Sequence, residues 1–530
     1  MEINLDILKP EEKAVLTLRA LYESGGYQKF KVSRFEEYSY YLENKDFLAG
    51  KKIPTFTDLN GKLMALKPDV TLSIIKHSRA DRQQAEKLYY IENVYRENQS
   101  ASGYREISQM GLEYLGETDG EAVAEVALLA AQSLSVFGPE AILTIGHNDF
   151  TLGFFQQVGV DLTVEPEIMA ALYAKNVQVL KALLEARDLP QAICERICNM
   201  VLLEGDFAEI LQEAGNMVFS SSAKAALNEL ASVYLSVQGA GLPVKLHLDF
   251  SLLNDVNYYN GIVFKGYLQG LARPVLSGGA YDKMMRKLGK KAGAIGFAIY
   301  LNELTRLDKQ QLAVRERRRT SPLTIALPKG RLAEKVCNLM TSVGYDCRQV
   351  LDEAGRRLEF FSEDKDLRFL LVKPSDVGIY VEHGAADIGI VGKDILLESE
   401  PEVYELLDLR LGRCRFCEAA PVGYRENLDR SLVVATSFTN VAGQYYASIN
   451  REIEMIKLNG SVELAPLLGL SDVIVDLVES GGTLKANNME VSAEIMPISA
   501  RLIANKPAYA FKRGAIAELT AKLKGAIEND

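Results

Sequence analysis

The sequence predicts two unlike halves. The first is an α+β domain built on an antiparallel sheet, and the second is an α/β domain in which strands and helices alternate. Three observations carry this. The strand-like runs Leu88 to Tyr95 and Tyr104 to Leu115 are separated by the turn-rich segment RENQSASG. From Glu165 to Gln238 the pattern is almost wholly helical, with strands resuming at Val244 to Leu252 and Asn257 to Tyr267, so a helical insertion interrupts the sheet. Beyond it the short apolar runs Leu323 to Leu327, Phe369 to Val372, Ile388 to Val391, Leu432 to Ala435 and Ile453 to Leu458 have helical stretches between several of them, the rhythm of parallel α/β structure.

In chain order, helical periodicity covers Pro10 to Gly25 and Gly120 to Phe137. The apolar run from Ala122 to Val136 contains Glu125 and Gln132, and it reads as a core helix because it is too short and too interrupted to span a bilayer. The sharpest compositional shift is RLDKQQLAVRERRRTS, Arg306 to Ser321, with six basic and two acidic residues between Arg306 and Arg319. A solvated charged linker at 306–321 accounts for it, because no aromatic residues are interleaved to stack on bases. Pro322 follows, and then a clean strand. The domains are therefore expected at 1–305, with the insertion at about 165–238, and at 322–530.

A chain of 530 residues holds about three or four domains. Its 48% hydrophobic and 25% charged content is that of a globular protein. The net charge of −11 argues against a broad nucleic-acid-binding surface. No signal-peptide pattern opens the sequence, and six cysteines in this length make no disulfide framework, so a cytoplasmic setting is expected, with neither a membrane nor a nucleic-acid partner. The four histidines are scattered, which disfavours a multi-histidine metal site.

Polar groups on well-patterned strands mark a first candidate site. They lie in Leu66-Lys-Pro-Asp69-Val-Thr71, in Val94-Tyr-Arg96-Glu97, in Tyr104 to Glu113, and in Asn257 to Gly261 paired with Ser277 to Asp282. Arg105, Ile107, Gln109, Gly111 and Glu113 share one face of a strand. Arg, Gln and Glu on that face need partners, either each other, as in an Arg105–Glu113 ion pair, or a ligand.

These segments resemble the catalytic core of class II aminoacyl-tRNA synthetases, and within that class histidyl-tRNA synthetase, over nearly all of residues 1–305. The resemblance implies a class II synthetase-like antiparallel-sheet fold. It also implies that Asp69 and Thr71, assisted by Gln109, contact the α-amino group of a bound histidine. Arg96 would face the carboxylate, and Glu113, Tyr259 and Tyr281 would enclose the imidazole. The chain departs from that family where the activation chemistry is done. Asn254 stands where the synthetases carry an arginine before the Asp-Tyr-Tyr segment, and Glu303 replaces the ATP-holding arginine of the third motif. No anticodon-binding domain follows Leu304. Loss of cations beside a triphosphate argues for a histidine-sensing module that does not aminoacylate.

The densest signal in the second half runs from Leu464 to Asn487. Val473, Ile474, Leu477 and Val478 fit helical spacing, with Ser471 as N-cap and a stop at Gly481-Gly482. Two glycines flanked by Ser480 and Thr483 let N–H and hydroxyl groups converge on a phosphate, and Asp476 and Glu479, three apart, suit ribose hydroxyls or hydrated Mg²⁺. No Walker A pattern occurs. Residues 322–530 resemble the short form of ATP phosphoribosyltransferase. The matching segments are Ile325 to Leu332, Val381 to Asp394, Lys457 to Glu463 and Asp472 to Asn487.

That resemblance implies two α/β lobes like those of periplasmic binding proteins, lobe one at about 322–411 and 490–530 and lobe two at about 412–489. It implies transfer of the phosphoribosyl group of phosphoribosyl pyrophosphate (PRPP) to N1 of ATP, releasing pyrophosphate, as the first step of histidine biosynthesis. Asp472 and Asp476 would lie below the sugar, with Glu479 beside them. Ser480, Gly481, Gly482 and Thr483 would hold the 5′-phosphate. Lys329, Gly330 and Arg331 would meet anionic oxygens. Mg²⁺ would arrive with the substrates and not in a protein cage, histidine would act as feedback inhibitor, and a homo-oligomer is implied.

The chain lacks the family's Lys-Tyr-Pro-Asn segment and basic pair, carrying Ser437-Phe-Thr-Asn440 and Gly443-Gln444 instead. Cys414-Arg-Phe-Cys417 is a lone pair that reads as strand, Cys194 and Cys198 read as core thiols, and His383 reads equally as a substrate contact or a helix end. Two rival functions remain at this level: a non-catalytic nucleotide and histidine sensor, and a residual histidine-activating enzyme.

Overall fold

The structure is a computed structural model. It describes residues 8–48, 52–97, 103–138, 140–162, 164–187, 189–217, 220–253, 258–305, 323–347, 349–350, 357–362 and 367–529. The chain divides into two compact units, Met1–Thr320 and Ser321–Asp530. The charged run 306–321 and Asn254 lie outside the described residues.

In the first unit the strands are β1 (Gln28–Lys29), β2 (Phe35–Glu37), β3 (Thr55–Thr57), β4 (Leu63–Leu66), β5 (Glu86–Glu97) and β6 (Tyr104–Gly116). They continue with β7 (Ala141–His147), β8 (Glu204–Asp206), β9 (Val244–Asp249), β10 (Asn260–Leu268), β11 (Leu276–Ala280) and β12 (Gly293–Tyr300). Nine of them form one sheet in the order β1-β5-β6-β12-β11-β10-β7-β9-β8, and β2-β4-β3 form a small second sheet. The two predicted strand runs are present as β5 and β6, which pair antiparallel from Glu86↔Leu115 to Glu97↔Tyr104.

One face of the large sheet is sealed. The helix Gly120–Ser135 starts at Asp119, whose side chain accepts the Ala122 N–H, and it buries Val123, Val126, Ala130 and Leu134. Helix Ser221–Gly239 joins the same core with Leu230 and Val233, against Leu112, Leu143, Phe264 and Phe297. The insertion folds as predicted into helices, at Pro166–Tyr173, Val177–Glu185, Gln191–Val201 and Phe207–Gly215 before Ser221–Gly239. It also contributes the edge strand β8, which three residues with no alternation could not announce. Cys194 and Cys198 are buried in its own core beside Ile168, Leu180 and Met200.

The second unit holds β13 (Leu323–Pro328), β14 (Glu359–Phe361), β15 (Leu367–Val372), β16 (Ile388–Gly392) and β17 (Val403–Asp408). After these come β18 (Cys414–Pro421), β19 (Leu432–Thr436), β20 (Ile453–Lys457), β21 (Val473–Val478), β22 (Met489–Ile498) and β23 (Ala500–Asn505). They form two sheets, β14-β15-β13-β16-β23-β17 and β20-β19-β21-β18-β22. The expected parallel core is there, β13 with β15 and β16, and β19 with β20 and β21. Both sheets are nonetheless mixed, because β23 runs antiparallel to β16 and β17, and β18 antiparallel to β21 and β22.

Two further expectations are corrected. Val473–Val478 is a strand, not a helix, and Ser471 caps nothing; its hydroxyl is buried without a partner. A central strand covered on both faces presents an unbroken apolar run, which periodicity cannot separate from a buried helix, and the β-branched Val473, Ile474, Val475 and Val478 favour the strand. The second correction is the lobe boundary. The ten-residue β22 pairs along β18 from Cys414↔Ile498 to Pro421↔Met489, so the chain returns to the first sheet at Ser499 and not near 490. The two crossing segments bond to each other, Leu409 N–H to the Ala500 carbonyl and Ala500 N–H to the Leu411 carbonyl, each at 2.9 Å.

Candidate functional site

In the first unit, β6 and β12 lie side by side with Glu113 opposite Gly296 and Gln109 opposite Tyr300. Their other face, partly covered by Val70, Leu72, Ile74 and Met284, carries Glu113, which is only 2% exposed. Thr71, first residue of the helix Thr71–His77, donates to Glu113 Oε1 at 2.8 Å, and the Tyr281 hydroxyl donates to Oε2. Burial pushes the Glu113 carboxyl up to about 8 against those two hydrogen bonds. A Cβ at Gly296 would overlap this carboxylate, and one at Gly111 would overlap the Tyr90 hydroxyl, so glycine at both positions is the condition for the floor to exist.

Around Glu113 the predicted residues converge. Asp69 is half-buried, and its Oδ1 accepts the Leu72 N–H at 3.0 Å. Gln109 is buried, and Tyr259 stacks at a tilt on Tyr258 with ring centroids 4.6 Å apart. Arg96 donates to the Pro68 carbonyl at 3.4 Å, and its charge is felt at the Tyr259 hydroxyl. The Arg105–Glu113 ion pair does not form: Arg105 is exposed at the far end of β6, eight residues or about 26 Å along the strand. Tyr90 and Tyr300 also line this face and went unnoticed in the sequence, where the alternating Gly111 and Gly296 were the available signal. Glu303 lies on the short helix Leu301–Leu304, whose Asn302 side chain accepts the Ser108 N–H at 2.5 Å.

In the second unit, parallel pairing brings the carboxyl ends of β13, β15 and β16 to one edge. Lys329, Gly330 and Arg331 follow β13 there, and Gly330, at φ 103°, turns the chain into the helix Arg331–Ser342. Lys329 and Arg331 are exposed, and no carboxylate among the described residues pairs with either. Lys373, which the sequence reading passed over, leaves β15 at the same edge and is also exposed; its signal was a lysine closing the apolar run Phe369 to Val372. Lys393 is committed to Glu405 at 2.6 Å.

The second sheet has its own carboxyl edge, where β19, β20 and β21 end together. Gly481 there takes φ 75°, and Gly482 opens the helix Gly482–Ala486, leaving Ser480 and Thr483 exposed beside it. Asp476 projects from β21 on the side of Ile474 and Val478. Burial raises its carboxyl, and the charge of Glu463 raises it further. Glu479 is exposed at the strand's end.

Asp472 is not brought to this loop. It precedes β21, a full strand of about 20 Å away from Ser480. There it is held by the Arg430 fork at 2.6 and 2.8 Å and accepts the Val433 N–H at 3.0 Å. A helix would hold Asp472 and Asp476 one turn apart; extension of the strand separates them.

His383 caps the helix Val377–Glu382, its Nδ1 bonded to the Ile379 carbonyl at 3.0 Å. Cys414 and Cys417 lie in β18 as read. Among the described residues no three His, Cys, Asp or Glu side chains group to cage a metal ion, and no helix is long and apolar enough to cross a membrane.

A family model described as histidyl-tRNA synthetase matches residues 4–304, and one described as ATP phosphoribosyltransferase matches residues 373–525. The ATP phosphoribosyltransferase of Brachyspira hyodysenteriae is 58% identical over 195 residues, which are 37% of this chain and 94% of that protein. The chain belongs to the histidyl-tRNA synthetase family through its first unit and to the ATP phosphoribosyltransferase family through its second. The ATP phosphoribosyltransferase of Lachnospira eligens is 46% identical over 209 residues, 39% of this chain and 97% of that one. A solved ATP phosphoribosyltransferase regulatory subunit/histidyl-tRNA synthetase from Bacillus halodurans C, 21% identical, covers 70% of this chain and 97% of its own with a TM-score of 0.51, a likeness of fold alone. The second unit is thus an ATP phosphoribosyltransferase, a pentosyltransferase, fused to a domain of the histidyl-tRNA synthetase family.

Proposed function

We propose that the transferase site lies in the cleft between the two sheets of the second unit, in the manner of periplasmic binding proteins, and that the first unit senses histidine and inhibits the transferase. For the cleft, the supporting observation is that both sheets end their parallel strands in anion-seeking groups. Ser480, Gly481, Gly482 and Thr483 take the ribose 5′-phosphate through loop N–H and hydroxyl groups. Lys329 and Arg331, with Gly330 as the turn, take the oxygens of pyrophosphate or of ATP. Asp476 and Glu479 attend the ribose, where positive charge develops as the bond to pyrophosphate breaks and N1 of adenine attacks. Asp472 drops out of this set.

Mg²⁺ fits the reading. Carboxylates such as Asp476, whose ionisation the charge of Glu463 makes costlier, suit a hydrated cation that carries substrate oxygens in its remaining positions. It would neutralise charge on the departing pyrophosphate.

For the regulatory unit, the supporting observation is the buried Glu113 between Thr71 and Tyr281. Tyr259 and Tyr281 enclose an imidazole whose N–H donates to Glu113. Asp69 and the lone pairs of Thr71 accept from the ammonium, Gln109 assists, and Arg96 meets the carboxylate. Titration calorimetry on the whole chain tests the assignment. One histidine should bind per chain, and Arg96→Ala should raise both its Kd and the concentration giving half-inhibition at least tenfold. Unchanged histidine binding in that variant would remove Arg96 from the site. A homo-oligomer and a cytoplasmic setting complete the proposal.

A further inference from the structure

We infer a second ligand site on the first unit, a site for a phosphate group centred on Lys265 of β10. It stands independently of the histidine assignment. One row of residues crosses the Glu113 face of the nine-stranded sheet. Lys265 is opposite Thr144 on one side and Ser277 on the other, Ser277 is opposite Ala298, and Ala298 is opposite Gly111. The reverse face of the same strands is shut, with Phe264, Leu276 and Phe297 in the core. On this face Lys265, Ser277 and Ala298 all keep partial exposure in the middle of the sheet.

The chemistry of the row is unbalanced. The Lys265 ammonium donates to the Tyr173 hydroxyl at 3.2 Å and lies 5.2 Å from that ring's centre, but no carboxylate among the described residues pairs with it. Beside it Thr144 is 6% exposed, and its hydroxyl is buried without a hydrogen-bond partner. A partly buried cation and an unsatisfied hydroxyl each carry a desolvation cost that an anion between them relieves. An ammonium and two hydroxyls together suit a phosphate group. Two strands, and so three interstrand spacings or about 14 Å, separate Lys265 from Glu113, so a histidine held at Glu113 does not reach it.

The test is titration calorimetry of the full chain with inorganic pyrophosphate and, separately, with AMP. Pyrophosphate also binds the transferase cleft, so the wild-type chain should show two classes of site, and Lys265→Met should lose one while Lys265→Arg keeps both. Thr144→Val should weaken that class about tenfold, yet raise the melting temperature of the ligand-free protein by removing the orphaned hydroxyl. Filling by pyrophosphate identifies a free phosphate anion as ligand, and filling by AMP alone identifies a nucleoside phosphate. Identical stoichiometry and affinity in wild type and a folded Lys265→Met would overturn the site, as would a second class of site for neither probe. If Lys265→Met does not fold, Thr144→Val and Ser277→Ala decide, and unaltered binding in both refutes the proposal.

Discussion

Glu113 shows how one side chain carries a site and a pH dependence together. Its carboxyl sits at about 8 in the folded protein against 4.5 in the ordinary case, because burial costs more than the Thr71 and Tyr281 hydrogen bonds return. The native state therefore holds one proton more than the unfolded chain between those values, and stability falls as pH rises through that window. Glu113→Gln, which cannot ionise, should melt with a shallower decline between about pH 5 and pH 8; matching slopes would show Glu113 ionised in the native protein.

Asp472 and Asp476 make the opposite contrast, two aspartates four apart in sequence with unrelated tasks. Asp472→Asn should lower stability by weakening the Arg430 fork while leaving the KM for PRPP unchanged. Asp476→Asn should alter kcat or the KM for PRPP. A shift in KM from Asp472→Asn would return that residue to the site.

Among the elements, the helix Thr439–Ser448 accounts for an apparent loss. Where family members carry Lys-Tyr-Pro-Asn and a basic pair, this chain uses Thr439, Asn440 and Gln444 to join the two sheets of its second unit. Glu398 accepts the Thr439 hydroxyl at 3.0 Å and the Asn440 N–H at 2.9 Å, Asn440 Nδ2 donates to the Glu398 carbonyl at 2.7 Å, and Gln444 donates to Glu400 at 3.2 Å. A carboxylate at a helix N-terminus also meets the favourable end of the helix dipole. Glu398→Ala should cost about 1 kcal/mol in chemical denaturation, as the loss of a cap does.

At the loop after β21, Gly481→Ala meets no atom closer than the Val478 side chain at 3.8 Å, so its penalty is conformational. It should cost about 1 kcal/mol and raise the KM for PRPP. A wild-type KM would place the phosphate elsewhere.

On the scale of the whole molecule, the proposed feedback carries a reciprocal demand. If histidine lowers the affinity for ATP or PRPP by some factor, saturating substrate must weaken histidine binding by the same factor. Paired calorimetric titrations with and without PRPP check this, and a one-sided effect would mean that inhibition acts on turnover alone. Glu303, in place of the synthetases' arginine, leads us to expect no histidine-dependent ATP–pyrophosphate exchange. Measurable exchange would revive the residual activating enzyme.

The sequence alone determined the two halves, the strand runs of β5 and β6, the helical insertion and both families, because these are written in local periodicity and in motifs that sit together along the chain. It also named Asp69, Thr71, Glu113, Tyr259 and Tyr281, which converge. Only the tertiary structure decided that Val473–Val478 is a strand, that Asp472 is stranded from Ser480, that β22 stays with the second sheet, and that Lys265 stands beside an orphaned Thr144. Burial on both faces erases the period that distinguishes strand from helix, and which residues face each other across strands is set by pairing between segments far apart in the chain.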